Sequence, residues 1–263
     1  MPNSRDIDLS ALQNMPSKTR RQWRFLAETD STNAEISRRL AKHPPEQGLI
    51  ILADSQTDGK GRLGRTWYSA PGTGVYISTL IRPNLPPEQL PILTLMAGLA
   101  TVIAVNEFSS NRAQLKWPND LLLNGKKIAG VLCEYHPKNI PAVIIGIGIN
   151  VNQTQFPADI KEIATSLKLE TGVAINRTAL IKRLITELDF QYSELKKYKV
   201  EKLIKNWTRH TDLFGKTITL KKSSQRITGK AIRLDNLGRL IILNESGEET
   251  ALDSGEVRLG QSF

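Results

Sequence analysis

Short apolar runs of strand type recur along the chain, closed by glycine, proline or asparagine. Gly48-Leu49-Ile50-Ile51-Leu52-Ala53 is wholly apolar. Val75-Tyr76-Ile77-Ser78-Thr79-Leu80-Ile81 is rich in β-branched and aromatic residues. Both read as sheet strands, and Trp23 to Ala27 reads as a shorter strand before them. Leu115 to Leu123 is a strand broken at Pro118, which has no N–H to give to a ladder. Asn124-Gly125 is a hairpin turn leading into a return strand from Lys126 to Glu134, and a further strand follows from Ala142 to Asn152. Helical spacing lies between these runs. Thr32 with Glu35 three residues on has the spacing of a capping box, so a helix is predicted from about Asn33 to Lys42, stopping before Pro44-Pro45. The least polar stretch, Leu90 to Val105, reads as a buried helix ending near Phe108. Thr178 to Lys199 places Leu180, Ile181, Leu184, Leu188 and Leu195 near one stripe, and Leu203 and Trp207 suggest another helix.

From about Phe214 the pattern changes. Lys216 to Leu220, Thr228 to Leu234, Leu240 to Leu243 and Glu249 to Leu252 are short strands. Turns at Ser223-Ser224, Asn236-Leu237-Gly238 and Ser246-Gly247 separate them. This spacing predicts a small all-β barrel, too short to be robust alone and therefore docked on the larger part. The chain divides into an N-terminal extension (1–22), a main domain (23–212) and the barrel (213–263), an α+β architecture.

Composition narrows the function classes. A single cysteine, Cys133, excludes an internal disulfide and a cysteine-cluster zinc site. His43, His136 and His210 stand far apart with no metal-ligand spacing. Met1 to Trp23 has no continuous apolar core of the secretory kind, and Leu90 to Val105 falls short of the roughly 20 apolar residues of a membrane span. A soluble, cytoplasmic protein is expected. The net charge of +10 admits nucleic acid, an anionic small substrate or an acidic protein as partner. Aromatics at 6% show no stacking platform, and no zinc finger or RNP motif is present. Most cations, such as Arg20-Arg21 and Lys221-Lys222, read as a solvated basic surface.

One stretch carries chemistry. In Gly59-Lys60-Gly61-Arg62-Leu63-Gly64-Arg65-Thr66-Trp67, glycines alternate with cations between two strands, at a sheet end. Glycine lets a ligand approach main-chain N–H groups, successive N–H groups form an anion nest, and arginine grips a carboxylate or phosphate by two bonds. Gly59, Gly61 and Gly64 spell G-x-G-x-x-G, but Thr66 to Gly74 is loop and not the helix a dinucleotide fingerprint must open. The alternative is a basic surface hairpin. Ser31 and Thr32 are either helix caps or a small polar ligand site. Gly146 and Gly148, two apart, strip side chains from one face of their strand. A flat ligand or a tightly packed helix would use that gap.

Several motifs in order resemble the biotin protein ligases: Asp30-Ser31-Thr32-Asn33, Gln56 with Gly59 to Trp67, Lys116-Trp117-Pro118-Asn119-Asp120, Lys127 to Glu134, and Gly146-Ile147-Gly148-Ile149-Asn150. The resemblance runs from about Trp23 to Leu259. Lys60 departs from the arginine usual in the family, yet still offers a cation and a backbone N–H. The resemblance implies a mixed-sheet biotin/lipoate ligase-type catalytic domain followed by an SH3-like barrel. With only 22 residues before Trp23, it implies the form without an N-terminal DNA-binding domain. It implies two steps: biotin and ATP give biotinyl-5′-adenylate and pyrophosphate, then a lysine of a carboxylase's biotin carboxyl carrier domain attacks.

Residue roles follow from the resemblance. Ser31, Thr32, Asn33 and Gln56 would meet biotin's polar ureido end. Gly130, Leu132 and Gly146 would wall its slot, and Gly59, Lys60, Gly61 and Arg62 would surround its carboxylate. Lys127 would bridge carboxylate and α-phosphate, because these anions repel and the first step needs cations at the reacting centre. Arg65, Trp67, Asn119 and Asn150 would serve the nucleotide, with Mg²⁺ on its phosphates and metal ligands in the protein left open. Asp120 would hold the metal, orient Arg65 or act as a base for the acceptor lysine. The stretch from Asn152 to Leu167 is either a lid over the adenylate or a plain surface helix. Strands around Ala231 or Val143 are read as edges able to pair with a second copy, giving a homodimer, or with the acceptor. Two rivals remain: a lipoate or octanoate ligase, whose apolar substrate end fits Ser31-Thr32 and Gln56 less well, and a nucleic-acid-binding module. Neither a membrane nor DNA is expected as partner.

Overall fold

The structure, a computed structural model, describes residues 6–16, 21–42, 47–137, 140–222, 225–253 and 255–259. His43, Pro44-Pro45, Arg20 and the turn Ser223-Ser224 lie outside the described residues.

The main domain is a seven-stranded mixed sheet. Its strands are β1 (Gln22–Thr29), β2 (Leu49–Gln56), β3 (Gly74–Ile81), β4 (Gln114–Lys116), β5 (Asp120–Leu123), β6 (Lys126–His136) and β7 (Ala142–Asn150), in the order β1-β2-β3-β7-β6-β5-β4. β1 and β2 run parallel, joined across one face by helix α2 (Thr32–Lys42); the other pairs are antiparallel. Alternation along β2 and β7 divides two cores. Ile50, Leu52, Val143, Ile145, Ile147 and Ile149 face the large core, which holds helices α3 (Ile92–Asn106) and α5 (Arg177–Thr208). Leu49, Ile51, Leu80, Ala142 and Ile144 face α2 around Ile36. Pro87–Asn106 meets the length and hydropathy of a membrane span, a correction to the sequence estimate. Most of it is buried, because the sheet and α5 enclose it.

The predicted strands form, with instructive differences. The stretch from Leu115 is two strands, since Lys116 pairs with Asp120 across a reversal at Trp117-Pro118-Asn119. The Asn124-Gly125 turn is present, with φ of 50° and 79°. The capping box does not form. The helix begins at Thr32, Ser31 stands at its cap, and Glu35 engages Arg38 and Arg39 instead of the helix start. The two helices expected after Thr178 are one, 32 residues long, because neither glycine nor proline interrupts Lys199 to Leu203. Val143 and Ala231 are not on edges: β7 lies between β3 and β6, and the strand carrying Ala231 lies second from neither end of its sheet.

The C-terminal part is a five-stranded antiparallel sheet of β8 (Thr217–Lys222), β9 (Gln225–Leu234), β10 (Leu240–Leu243), β11 (Glu249–Leu252) and β12 (Glu256–Leu259), ordered β11-β10-β9-β8-β12. β12 adds one strand to the expected four, and the arrangement fits an SH3-like domain. Its apolar side joins the large core through Ile218, Ala231 and Ile242. The Gly238 turn packs against Ile92 and Leu95 of α3, and its carbonyl accepts from Trp117 Nε1 at 3.0 Å.

Part of the N-terminal extension is integral. Helix α1 (Leu9–Gln13) buries Leu12 in the large core. Before it, Asp6 accepts from Nε and Nη2 of Arg177, whose side chain is fully buried. Arg177 Nη1 donates to Asp54 Oδ1 at 2.8 Å, and Asp54 Oδ2 accepts from Gly72 N–H. This cluster ties the first described residues to the far end of the glycine loop. Removing one member of a buried ion network leaves the others desolvated. Arg177→Ala is expected to lower the unfolding free energy by about 3–5 kcal/mol in a urea titration; a change below about 1 kcal/mol would show the network to be dispensable.

Candidate active site

The strand register builds a slot on the α2 face of the sheet. Ser78, Gly146 and Leu132 lie in one cross-strand row, and Tyr76, Gly148 and Gly130 in the next. The missing side chains at Gly146 and Gly148 leave room that two side chains from elsewhere enter. A Cβ on Gly146 would stand 2.2 Å from Asn33 Oδ1, and one on Gly148 would stand 2.5 Å from Cε2 and Nε1 of Trp67. The close-packing reading of the bare face describes Gly146, where helix α2 approaches, and at Gly148 the Trp67 indole enters the gap and forms a wall of the slot. The Trp67 indole N–H is buried and has no partner among the described residues, leaving a donor for a ligand oxygen.

At the closed end of the slot, Thr32 N–H donates to Gln56 Oε1 at 2.9 Å, and Gln56 Nε2 donates to Ser69 Oγ at 2.8 Å. Ser31, Thr32 and Asn33 are all buried. Asp30 fixes the turn that holds them, accepting from Ser31 N–H at 2.6 Å. Hydrogen bonding by Arg38 holds the Asp30 carboxyl well below the usual carboxylate range.

The glycine loop folds back on itself as a small hairpin. Trp67 N–H donates to Gly59 O and Gly61 N–H to Arg65 O, each at 2.7 Å. The Gly61 N–H is thus engaged inside the loop. Gly59 is a packing position, since a Cβ there would stand 2.5 Å from Trp67 O. Leu63 takes φ of 57° and Gly64 of 73°, and this left-handed pair turns Arg62 inward. Arg62 Nη1 donates to Asn119 Oδ1 at 3.0 Å, and Asn119 Nδ2 donates to Val131 O. Burial lowers the Arg62 pKa and Arg65 adds to that, while the Asp120 carboxylate opposes both. An arginine stays charged through such shifts.

Asp120 makes an ion pair with Lys127. Its Oδ1 lies 2.7 Å from Lys127 Nζ, because β5 and β6 pair Asp120 with Gly130, near Lys127. Lys127 Nζ also lies 5.3 Å from the Trp67 ring centroid. The amine is held from below by a carboxylate and from the side by an aromatic face.

Beside the slot opens a larger cavity of about 500 Å³, reaching Lys116, Arg65, Phe156 and Ile160, with Gly255 and Val257 of the C-terminal sheet on its wall. Gly61, Arg62, Trp67, Asn119 and Lys127 border both spaces. The segment from 152 to 166 is turns and not a helix. It is pinned to β6 by Lys127 N–H to Ile163 O and Thr165 N–H to Lys127 O. Phe156 meets Tyr68 of the glycine loop edge to face, with ring centroids 6.1 Å apart. Asn150 borders this cavity, but its Nδ2 donates to Thr165 O at 3.0 Å, so it fastens the segment.

The predicted residues Ser31, Thr32, Asn33, Gln56, Lys60, Gly61, Arg62, Lys127, Gly130, Leu132 and Gly146 line the slot together. Arg65, Trp67, Asn119, Asp120 and Asn150 line the larger cavity. Gly59 stands apart from both linings. Neither His136 nor His210 borders either space. Sequence reasoning missed Ser78, Tyr76 and Gln153. Tyr76 Oη donates to Ala70 O and accepts from Gln153 Nε2, joining the glycine loop to the segment after β7. Polar Ser78 within an apolar strand was the available signal.

Residues 25–152 match the Biotin/lipoate A/B protein ligase family. The bifunctional ligase/repressor BirA of Bacillus subtilis is 33% identical over 88% of this chain and 72% of its own length. The biotin–[acetyl-CoA-carboxylase] ligase of Mycobacterium tuberculosis is 32% identical over 90% of this chain and 88% of its own. The biotin protein ligase of Aquifex aeolicus, solved in complex with biotin and ATP, superposes with a TM-score of 0.80 at 34% identity, covering 92% of this chain and 99% of that one.

Proposed function

The chain belongs to the biotin protein ligases, and we propose that the slot and the neighbouring cavity are the two halves of its active site. The protein is an ATP-dependent ligase that activates biotin to biotinyl-5′-adenylate, releasing pyrophosphate, and then transfers biotin to a protein lysine. In the first step a biotin carboxylate oxygen attacks the α-phosphorus and pyrophosphate leaves. In the second the lysine nitrogen attacks the acyl carbon and AMP leaves.

The observation that carries the assignment is the position of Lys127 and Arg62 on the boundary of both spaces. Two anions must meet there, and fixed cations at that boundary offset their repulsion most as charge develops on the phosphate. The ureido ring lies against Ser31, Thr32 and Gln56, whose donors and acceptors suit a ring bearing both. Arg65 and Lys116 face the triphosphate. Asp120 holds Lys127 in place. Asp120 is also the acid bordering the cavity among the described residues, and no group of three metal-ligating side chains occurs among them. That fits Mg²⁺ carried mainly on phosphate oxygens, where it neutralises their charge.

For transfer, deprotonating a lysine of ordinary pKa at pH 7 costs about 5 kcal/mol. The reading relies on positioning beside a reactive mixed anhydride, with water kept off by the 152–166 segment. The acceptor is a biotin carboxyl carrier domain of a carboxylase, and the enzyme works in the cytoplasm without DNA or membrane. A second copy of the chain would pair along a sheet edge, which β1, β4, β11 and β12 form.

Pyrophosphate release by the purified protein with ATP and Mg²⁺ tests this, comparing biotin, lipoate and octanoate. Release with biotin alone is expected. Release with lipoate would overturn the ureido assignment, and release with none of the three would overturn the ligase reading.

A further inference from the structure

Ser78 is fully buried beneath the ligand turn and outside the slot lining. Its hydroxyl oxygen lies 2.6 Å from Thr32 Oγ1 and 2.5 Å from Asn33 Oδ1. One hydroxyl has one proton, so it donates to only one of these neighbours.

The chain of partners decides which. Asn33 Nδ2 donates to Glu134 Oε2 at 2.6 Å and faces Leu132 O at 3.4 Å. A carboxylate and a carbonyl only accept, so the NH₂ end of Asn33 points at them and its oxygen points at Ser78. That oxygen needs a donor, and Ser78 supplies its proton there. The Ser78 oxygen is then left as an acceptor 2.6 Å from Thr32, a separation two oxygens reach only with a proton between them. Thr32 must provide it. Its competing contact, to Gln56 Oε1, is longer at 3.2 Å, and that oxygen already accepts the Thr32 N–H.

We infer that Ser78, oriented by Asn33 and Glu134, fixes the Thr32 hydroxyl with its proton turned away from the slot, so that Thr32 presents only lone pairs to the ligand and selects a ring N–H. Ser78, Asn33 and Glu134 are positioning residues acting through Thr32. Gly146 is part of the device, because any side chain there would expel Asn33. The inference rests on the reading that Thr32 meets the ureido ring. It adds the polarity of that contact and the residues that set it. An acid with an apolar ring or tail has no N–H to offer such an acceptor and leaves it unpaired, which disfavours binding.

The test is a double-mutant cycle on biotin affinity, read by titration calorimetry on the intact protein. Thr32→Val is expected to weaken biotin binding about tenfold, the scale of one hydrogen bond. Ser78→Ala is expected to weaken it similarly in the wild-type background and to have no further effect in the Thr32→Val background. Glu134→Ala, on a partly exposed side chain, removes the acceptor that orients Asn33 without disturbing the core and should follow the same pattern. A biotin analogue methylated on the ring nitrogen facing Thr32 gives a readout that packing damage would not move. Wild type should discriminate against it, and Ser78→Ala should narrow that ratio. Additive losses in the cycle, or an unchanged ratio, would overturn the inference while leaving Thr32 as a contact. An unaffected Thr32→Val protein would instead overturn the ureido assignment itself, and the inference with it.

Discussion

Lys127→Ala is expected to reduce biotin-dependent pyrophosphate release at least about a thousandfold. Removing one uncharged donor from a transition-state site costs about 10²–10³ in rate, and here a full charge between two anions is lost. The fold should survive. The Lys127 side chain is one-third exposed, and its structural bonds, to Ile163 and Thr165, are made by its backbone. Its partner Asp120 is also partly exposed, so loss of the pair should change stability by no more than about 1 kcal/mol. Circular dichroism would confirm folding. Near-normal pyrophosphate release from a folded variant would remove Lys127 from the chemistry and leave Arg62 as the cation at the reacting centre.

Gly148→Ala is expected to weaken biotin binding by about a hundredfold or more, by a route unrelated to charge. The new methyl would stand 2.5 Å from the Trp67 indole, about an ångström closer than carbon atoms pack. The strand cannot retreat, because β7 is hydrogen-bonded to β3 and β6 on its two sides. Trp67 must move, and it carries one end of the Gly59–Trp67 hairpin that aims Arg62. Overpacking of this size costs about 1–3 kcal/mol of stability. Urea denaturation would report that part and calorimetry the affinity. Undiminished biotin affinity would show that the indole can leave the slot without drawing the loop away.

The gap between the readable and the unreadable features falls along sequence separation. The glycine loop, the Asn124-Gly125 turn and the strands around them were legible because period, turn residues and composition act over a few neighbours. The single long helix was legible in kind but not in length. Its second half carries a sparser apolar stripe, and only packing of Leu203 and Trp207 against the core shows it to be continuous. The edges were misassigned because strand order depends on pairings that local pattern does not encode.

The chain by itself determined an anion-binding type of loop and a family resemblance. Alternating glycines and cations for anions and a strand face bared at Gly146 and Gly148 are properties of residue type and short spacing, and the ordered motifs around Ser31, Thr32, Gln56 and Lys127 carried the resemblance that implied the rest. Tertiary structure decided which groups are free to use that chemistry and which hold others in place. Asp120 holds Lys127, Asn119 holds Arg62, Ser78 lies beneath Thr32, and Arg177 joins Asp6 to Asp54. Ser78 and Thr32 are 46 residues apart, and Arg177 and Asp6 are 171 apart. A hydrogen bond has no sequence signature at such distances. It exists because the sheet brings both groups out of water together, where each must find the other to avoid the cost of an unpaired polar atom.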